Sequence, residues 1–593
     1  MNIGFSQIRT LNSTFKGYRK HLVVLTILGI FGAILDGIGI SAVIPLLSFL
    51  LGESGSLPSG SITEIMKGIF AFWGIPFSFK FLLGFIAVLF LARAAVLAIF
   101  AWMRAYISTS FMSREGGSML QLVLSAPWLL IGKYKTGYIQ NTIYWDVRKT
   151  ANLLEVVAQF IQSGTGVLIY FVIALNISFT ITVITFFAGI VLLFLLYPLV
   201  RKTVVLGEET SNIEKRLTQH LIEYIAGLKT VKASGVDSII TQKGRELIEV
   251  MRGVYMRTVV THSLGINFIQ PFSVIFIIIL FGIAYKMPGF NLPTFIATLY
   301  LIQKIFTYMQ STQASLHSVA DLIPFAVNIG HFKDSLQSGT QKVMKGSQHF
   351  RFEKELVLED ISLSYHSEIP ALSHISCTIE KGSFVGIIGK SGSGKTTMAD
   401  LMLRLIPPSE GVIRIDGEPI DNVLLDEWRK EVGYVSHDLF LFNASIEENI
   451  RFYRDFISKE DIEHAARQSH IFDEIMYLPE GFKTVVGDRG FSLSAGQKQR
   501  IVLARALAQK PSVLVLDEAT SSLDSESERA IQQAIDELRG RITFIVIAHR
   551  ISTITSADKI VVLENGNILE EGSPIEMLKN GDSYLSRMKD LQG

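Results

Sequence analysis

Six stretches of this chain, at about residues 22–50, 81–107, 156–176, 178–200, 262–286 and 293–325, are each long and apolar enough to cross a lipid bilayer. The hydrocarbon layer is ~30 Å thick and a helix rises 1.5 Å per residue, so a span needs roughly 20 apolar residues. Buried helices of soluble proteins seldom run so long without charge, and six in succession point to a membrane domain. From about Gly346 onward charges are spread throughout, and the sequence reads as a soluble α/β domain. The averages, 49% hydrophobic, 18% charged and a net charge of +1, therefore describe neither half. That near-neutral balance carries no global basic excess that would argue for nucleic acid. The one cysteine, Cys377, permits no disulfide within a chain. The first 21 residues are polar and basic (Arg9, Lys16, Arg19, Lys20) and lead into an apolar run too long for a signal-peptide core. No small-residue cleavage pattern follows it, so a retained first span is expected.

Lysine and arginine set the orientation. The segment 201–261 carries ten of them, from Arg201 to Arg257, whereas the connections near 52–80, 176–178 and 287–292 carry only Lys67 and Lys80. The amino terminus and the two long loops are thus expected on the cytoplasmic side. Both long loops keep a helical pattern, continuing helices two and three, then four and five, past the bilayer. A 60-residue hairpin would reach ~45 Å, far enough to touch a cytosolic domain. The tips are expected near Trp128–Tyr138 and Glu223–Lys232.

Ionisable residues inside the spans are few, and Asp36, Arg93 and Lys304 stand out among them. A charge at mid-membrane costs at least ~2.5 kcal/mol on insertion scales, so each must face protein or water. Two readings stand: they line a path for polar or anionic cargo, or they pair with one another or reach an interface.

In the soluble half, the apolar run Phe384-Val385-Gly386-Ile387-Ile388 precedes Gly389-Lys390-Ser391-Gly392-Ser393-Gly394-Lys395-Thr396, with Thr397 next. A strand, a glycine-rich loop and a helix start in that order form a phosphate cradle. Backbone N–H groups curl around phosphate oxygens, Lys395 reaches the β- and γ-phosphates, and the Thr396 hydroxyl suits Mg²⁺. A second strand, Val513-Leu514-Val515-Leu516, ends in Asp517-Glu518. Beside a phosphate loop, Asp517 would hold Mg²⁺ and Glu518 would polarise the attacking water. Together the two motifs predict ATP hydrolysis.

These residues carry a family resemblance. Leu493-Ser494-Ala495-Gly496-Gln497 resembles the signature of ATP-binding-cassette (ABC) proteins, and the exporter type is resembled by nearly the whole chain. That resemblance implies an α-helical six-span domain (1–335), a linker (336–350) and a cytosolic α/β P-loop ATPase domain (351–593). It implies Tyr365 stacking on adenine, a D-loop at Ser521-Ser522-Leu523-Asp524, His549 as switch histidine, and TVVGDRG (484–490) as the segment before the signature. Thr136-Gly137 with Asp146, and Glu223–Lys232, are similar to the type's coupling segments. It further implies a site completed in trans: ATP held by Lys395 of one chain meets Ser494 and Gly496 of a second half-transporter, expected to be an identical chain. His437 is a departure, standing where the family usually has a glutamine that contacts Mg²⁺ and water. An imidazole has a different reach and changes charge near pH 6.5 in water, so coupling more pH-sensitive than usual is expected, with His437→Gln as its test.

For cargo, Leu35-Asp36-Gly37-Ile38-Gly39-Ile40-Ser41-Ala42-Val43-Ile44-Pro45 and Phe90–Ala94 resemble stretches of bacterial lipid-linked oligosaccharide flippases and polysaccharide exporters. The expected function is ATP-driven flipping of a lipid-linked or amphipathic substrate across a bacterial cytoplasmic membrane. Flipping of lipid or lipid A, multidrug export, and an ATP-gated channel or regulatory subunit are the rivals.

Overall fold

A computed structural model of the chain describes residues 15–50, 61–285, 292–340, 346–365, 370–487, 490–519, 524–548 and 550–592. It divides into two compact units, one of Met1–Ala126 with Leu130–Thr340 and one of Pro127–Leu129 with Gln341–Gly593.

The first unit is helical: α1 (Arg19–Ser41), α2 (Val43–Leu50), α3 (Ser61–Phe72), α4 (Phe79–Ser125), α5 (Val147–Ile177), α6 (Phe179–Ala226), α7 (Asp237–Asn267), α8 (Ile269–Ala284) and α9 (Leu292–Thr340). Among the described residues, five helical stretches are long and apolar enough to cross a membrane: Lys16–Ser41, Phe79–Ser125, Thr136–Ile177, Phe179–Ala226 and Asp237–Ile283. The sixth expected span lies within α9, and residues 286–291 before it fall outside the described set. Two expected spans are interrupted. The run 22–50 breaks at Ala42 and 262–286 at Phe268. Pro45 and Pro271 fall in the first turns of α2 and α8, where a missing N–H leaves no helix bond unmade.

Helices α4, α6 and α9 have 47, 48 and 49 residues. At 1.5 Å per residue each is ~70 Å long, more than twice the hydrocarbon thickness. Their extra length supplies the arms expected from the sequence. The first arm turns at Ala126, which is extended ahead of Pro127, and carries short helices Trp128–Ile131 and Thr136–Asn141. The second turns at Gly227 into Leu228–Ala233. The second turn falls within its predicted tip, and the first comes two residues before Trp128, the start of its own.

Small residues let the long helices approach. A Cβ on Gly207 of α6 would lie 2.7 Å from the Asp321 carbonyl oxygen and 3.1 Å from its Cα on α9. Buried charge also ties the arms together. A π-helical turn, Thr142–Asp146, presents the fully buried Asp146 carboxylate to Lys215 of α6 at 3.6 Å. Lys149 reaches Glu214 at 2.7 Å. Burial pushes the Asp146 carboxyl up to about 6, against the pull of Lys215 and Lys149.

In the second unit, a four-stranded antiparallel sheet runs β2-β1-β4-β5, from β1 (Glu355–Leu363), β2 (Leu372–Glu380), β4 (Glu410–Ile415) and β5 (Glu418–Pro419). A six-stranded sheet runs β10-β9-β3-β8-β7-β6, from β3 (Phe384–Gly389), β6 (Val432–Val435), β7 (Val513–Asp517), β8 (Thr543–Ile547), β9 (Lys559–Glu564) and β10 (Asn567–Gly572). All its neighbouring strands are parallel except β10. Both faces are buried: Phe384, Ile388, Leu514, Leu516, Phe544 and Val546 join one core, and Val385, Ile387, Val513, Val515, Ile545 and Ile547 the other. That two-sided burial explains why these strands read as continuous apolar runs. Helix α9 continues into the expected 336–350 linker as far as Thr340, and Ser347 and Gln348 already donate to the Asn422 carbonyl.

Because backbone cannot move aside, Gly207→Ala should cost roughly 1–3 kcal/mol by overpacking. Gly164→Ala in α5, whose Cβ would meet nothing within 4 Å, should leave stability unchanged or raise it. Thermal unfolding of the two variants in one detergent checks the contrast.

Candidate functional site

The carboxyl edge of a parallel sheet is where its loops converge, and three of them here carry residues singled out from the sequence. β3 leads into the glycine-rich loop, β7 into Glu518 and β6 into His437. His549, Ser521, Ser522 and Leu523 lie outside the described residues, as do Asp488 and Arg489 of the 484–490 segment.

The loop's glycines do conformational work. Gly392 and Gly394 have φ of 80° and 104°, in the left-handed region, and Gly394 caps α10 (Lys395–Met402). At Gly389, whose φ is 154°, a Cβ would lie 2.2 Å from the Leu563 carbonyl oxygen and 2.6 Å from Ser393 Oγ. Lys395 is buried, its Nζ donating to the carbonyls of Gly389 (2.9 Å) and Lys390 (3.0 Å). Desolvation holds its ammonium below the usual lysine range, opposed by the Glu518 and Asp517 carboxylates. The Ser393 hydroxyl is buried without a hydrogen-bond partner among the described residues. An orphan donor in a ring of backbone N–H groups fits a phosphate. Thr396 is exposed, and Tyr365 donates from its hydroxyl to Thr397 Oγ1 at 3.2 Å. Lys390 and Ser391 are exposed at the loop tip, Lys390 pairing with Glu564 at 2.8 Å.

Asp517 is buried at the end of β7. Glu518 has φ 51°, uncommon for a side-chain-bearing residue, and its N–H donates to the Ile547 carbonyl at 3.0 Å. His437 Nδ1 stands 3.8 Å from Glu518 Oε2. Asp400, one turn beyond Thr396, is a neighbour that sequence reading missed. Burial, with the Asp517 charge adding, pushes its carboxyl up to about 6. The i, i+4 spacing from Thr396 is the sequence signal that points to it.

The signature begins α11 (Ala495–Leu507). Ser494 caps it: Ser494 Oγ accepts the Gln497 N–H (3.2 Å), and Gln497 Oε1 accepts the Ser494 N–H (2.9 Å). Leu493 packs on the core, and Ala495 follows at the first helical position. Gly496 faces Ser527 of α12 (Ser525–Leu538), beside Asp524: a Cβ there would lie 2.0 Å from Ser527 Oγ. Among the described residues, no hydrogen bond or ion pair joins this signature to the phosphate loop of the same chain.

In the membrane unit the three intramembrane charges come together. Arg93 Nη1 of α4 lies 2.8 Å from Asp36 Oδ1 of α1, and Lys304 Nζ of α9 lies 4.0 Å from Asp36 Oδ2. Tyr170 of α5, unforeseen from sequence, donates its hydroxyl to the same carboxylate.

Residues 23–309 match the ABC transporter transmembrane region, and 372–521 match the ABC transporter model. The chain belongs to the ABC transporter family. It is 32% identical to the ATP-dependent lipid A-core flippase of Dechloromonas aromatica, over 85% of this chain and 86% of that protein. It is 28% identical to the heterocyst differentiation ATP-binding protein HepA of Nostoc sp., over 95% and 93%. A solved bacterial Atm1-family ABC exporter with ATP bound has the same fold, with a TM-score of 0.78 at 21% identity over 98% of this chain and 99% of that one. This ABC transporter is thus a half-transporter of exporter fold, an integral membrane protein whose single cassette binds and hydrolyses ATP.

Gly496 in this ABC chain gives a direct test of the signature's packing. Gly496→Ala should displace α11 from α12 and lower ATP turnover about a hundredfold, the scale of a 1 Å misplacement. Binding of a fluorescent ATP analogue at the phosphate loop should be unchanged.

Proposed function

We propose that two copies of this chain form a transporter that uses ATP to flip a phosphate-bearing amphipathic lipid, a lipid-linked glycan above all, across a bacterial cytoplasmic membrane. The observation that carries the substrate class is the Asp36 cluster. Among the described residues, one buried carboxylate serves two cations, so the cluster keeps a surplus positive charge within the spans. Arg93 and Lys304 keep 22% and 26% of their side chains exposed, while Asp36 keeps 1%. The cations, not the carboxylate, are the accessible partners, and an anionic headgroup would offset the surplus. The relatives named as lipid A-core flippases support a lipid substrate; lipid A-core itself is the second reading that similarity favours.

In the cassette, Lys395 and the loop N–H groups bind and orient the phosphates, Tyr365 stacks on the base, and Glu518 takes the proton of the attacking water. Thr396 and Asp517 offer hard oxygen donors that would hold Mg²⁺, which when bound would supply positive charge to offset that of the phosphates. His437, a nitrogen donor, is better placed to orient Glu518 than to ligate Mg²⁺. Ser494 and Gly496 of the second copy complete each site.

Glu518→Gln should keep ATP binding but lower turnover by roughly a hundred- to ten-thousandfold, the range for loss of a general base. In proteoliposomes, a phosphate-bearing glycolipid should stimulate ATPase activity and be flipped, and Lys304→Met should weaken both. Stimulation by uncharged hydrophobic drugs alone would overturn the substrate assignment.

A further inference from the structure

Glu474 lies in a short helix, Phe472–Tyr477, far from the signature in sequence, yet it touches two signature-helix residues. Its Oε2 accepts from Gln497 Nε2 at 3.1 Å, and its Oε1 pairs with Arg500 Nη2 at 2.7 Å. Arg500 is largely buried, and it also donates from Nη1 to the His470 carbonyl (2.8 Å) and from Nε to the Gly496 carbonyl (3.4 Å).

The chemistry of the Gln497 amide makes this arrangement directional. Its Oε1 accepts the Ser494 N–H while its NH₂ faces the carboxylate. Turned over, the NH₂ would oppose an N–H and the oxygen would oppose Glu474. Glu474 therefore permits only the orientation that closes the cap. With the cap closed, Ser494 Oγ is committed as acceptor to the Gln497 N–H, and its single O–H remains as a donor.

We infer that Glu474 is a positioning residue: through Gln497 and Arg500 it fixes Ser494 and Gly496 in the geometry in which the Ser494 hydroxyl donates to a phosphate oxygen of the nucleotide on the second copy. This rests on the reading that the signature serves the other chain's ATP. Glu474 itself touches no nucleotide. Its loss frees the Gln497 amide to turn and removes the carboxylate that pairs directly with the largely buried Arg500 guanidinium.

A double-mutant cycle on the full-length chain in proteoliposomes tests this. Glu474→Ala should lower kcat/KM for ATP about tenfold, the scale of a slightly misplaced group. The same substitution on a Ser494→Ala background should lower it no further. ATP-analogue binding without turnover should match the parent in each case, and the fall in thermal midpoint caused by Glu474→Ala should be the same on the parental and the Ser494→Ala backgrounds, so that only the turnover effects merge. Glu474→Gln, close to isosteric and able to offer only one acceptor oxygen, should give a smaller loss that is likewise absent on the Ser494→Ala background; it carries the test if Glu474→Ala folds poorly. Effects that multiply rather than merge, or parental turnover in both Glu474 variants, would overturn the positioning role while leaving the trans site standing. Parental turnover in Ser494→Ala would overturn the proposal together with the trans reading.

Discussion

A buried ammonium fixes the geometry of the nucleotide site. Lys395 is held by the carbonyls of Gly389 and Lys390, and that grip is possible only because the loop glycines adopt backbone conformations other residues resist. Desolvation disfavours its charge, and the Asp517 and Glu518 carboxylates offset that penalty from the end of β7. They can do so because β3 and β7 belong to one parallel sheet, with β8 between them, so that both loops open on the same edge. Register in that sheet thus decides electrostatics in the site. His437, leaving the same edge from β6, comes within 3.8 Å of Glu518 for the same reason.

The membrane unit answers a comparable constraint differently. A carboxylate within the spans cannot stay unpaired, and Asp36 draws partners from three other helices: Arg93, Lys304 and Tyr170. The pairing that makes Asp36 tolerable also holds two cations side by side. On the proposed reading, pairing and headgroup recognition are one arrangement, because the charge left over after pairing is the charge that would be available to a headgroup.

Much of this was legible in the sequence, and the reasons differ by element. The spans, the phosphate loop and the strand ending in Asp517-Glu518 are local patterns, set by hydrocarbon thickness, backbone freedom and two-sided burial. The helix breaks at Ala42 and Phe268 left weaker traces, since a proline in a first turn is compatible with either a start or a continuation. What local pattern could not carry is convergence. Whether Asp36, Arg93 and Lys304 lined a path or paired was undecidable from three isolated charges, and the pairing rests on how α1, α4 and α9 pack. Glu474 gave no signal at all, because its meaning lies in the amide of Gln497 on another helix. The buried Asp146–Lys215 contact is of the same kind.

The central claim is that each phosphate loop is completed by the signature of a second copy. Mixed dimers carrying distinguishable affinity tags decide it, with Lys395→Ala as the loop lesion and Ser494→Arg as the signature lesion. When the lesions sit on opposite chains, one composite site is intact, and the purified dimer is predicted to hydrolyse ATP. When both sit on one chain beside a parental partner, each site carries one lesion, and turnover is predicted to vanish. The reverse pattern, activity with both lesions on one chain and none with them apart, would contradict the account.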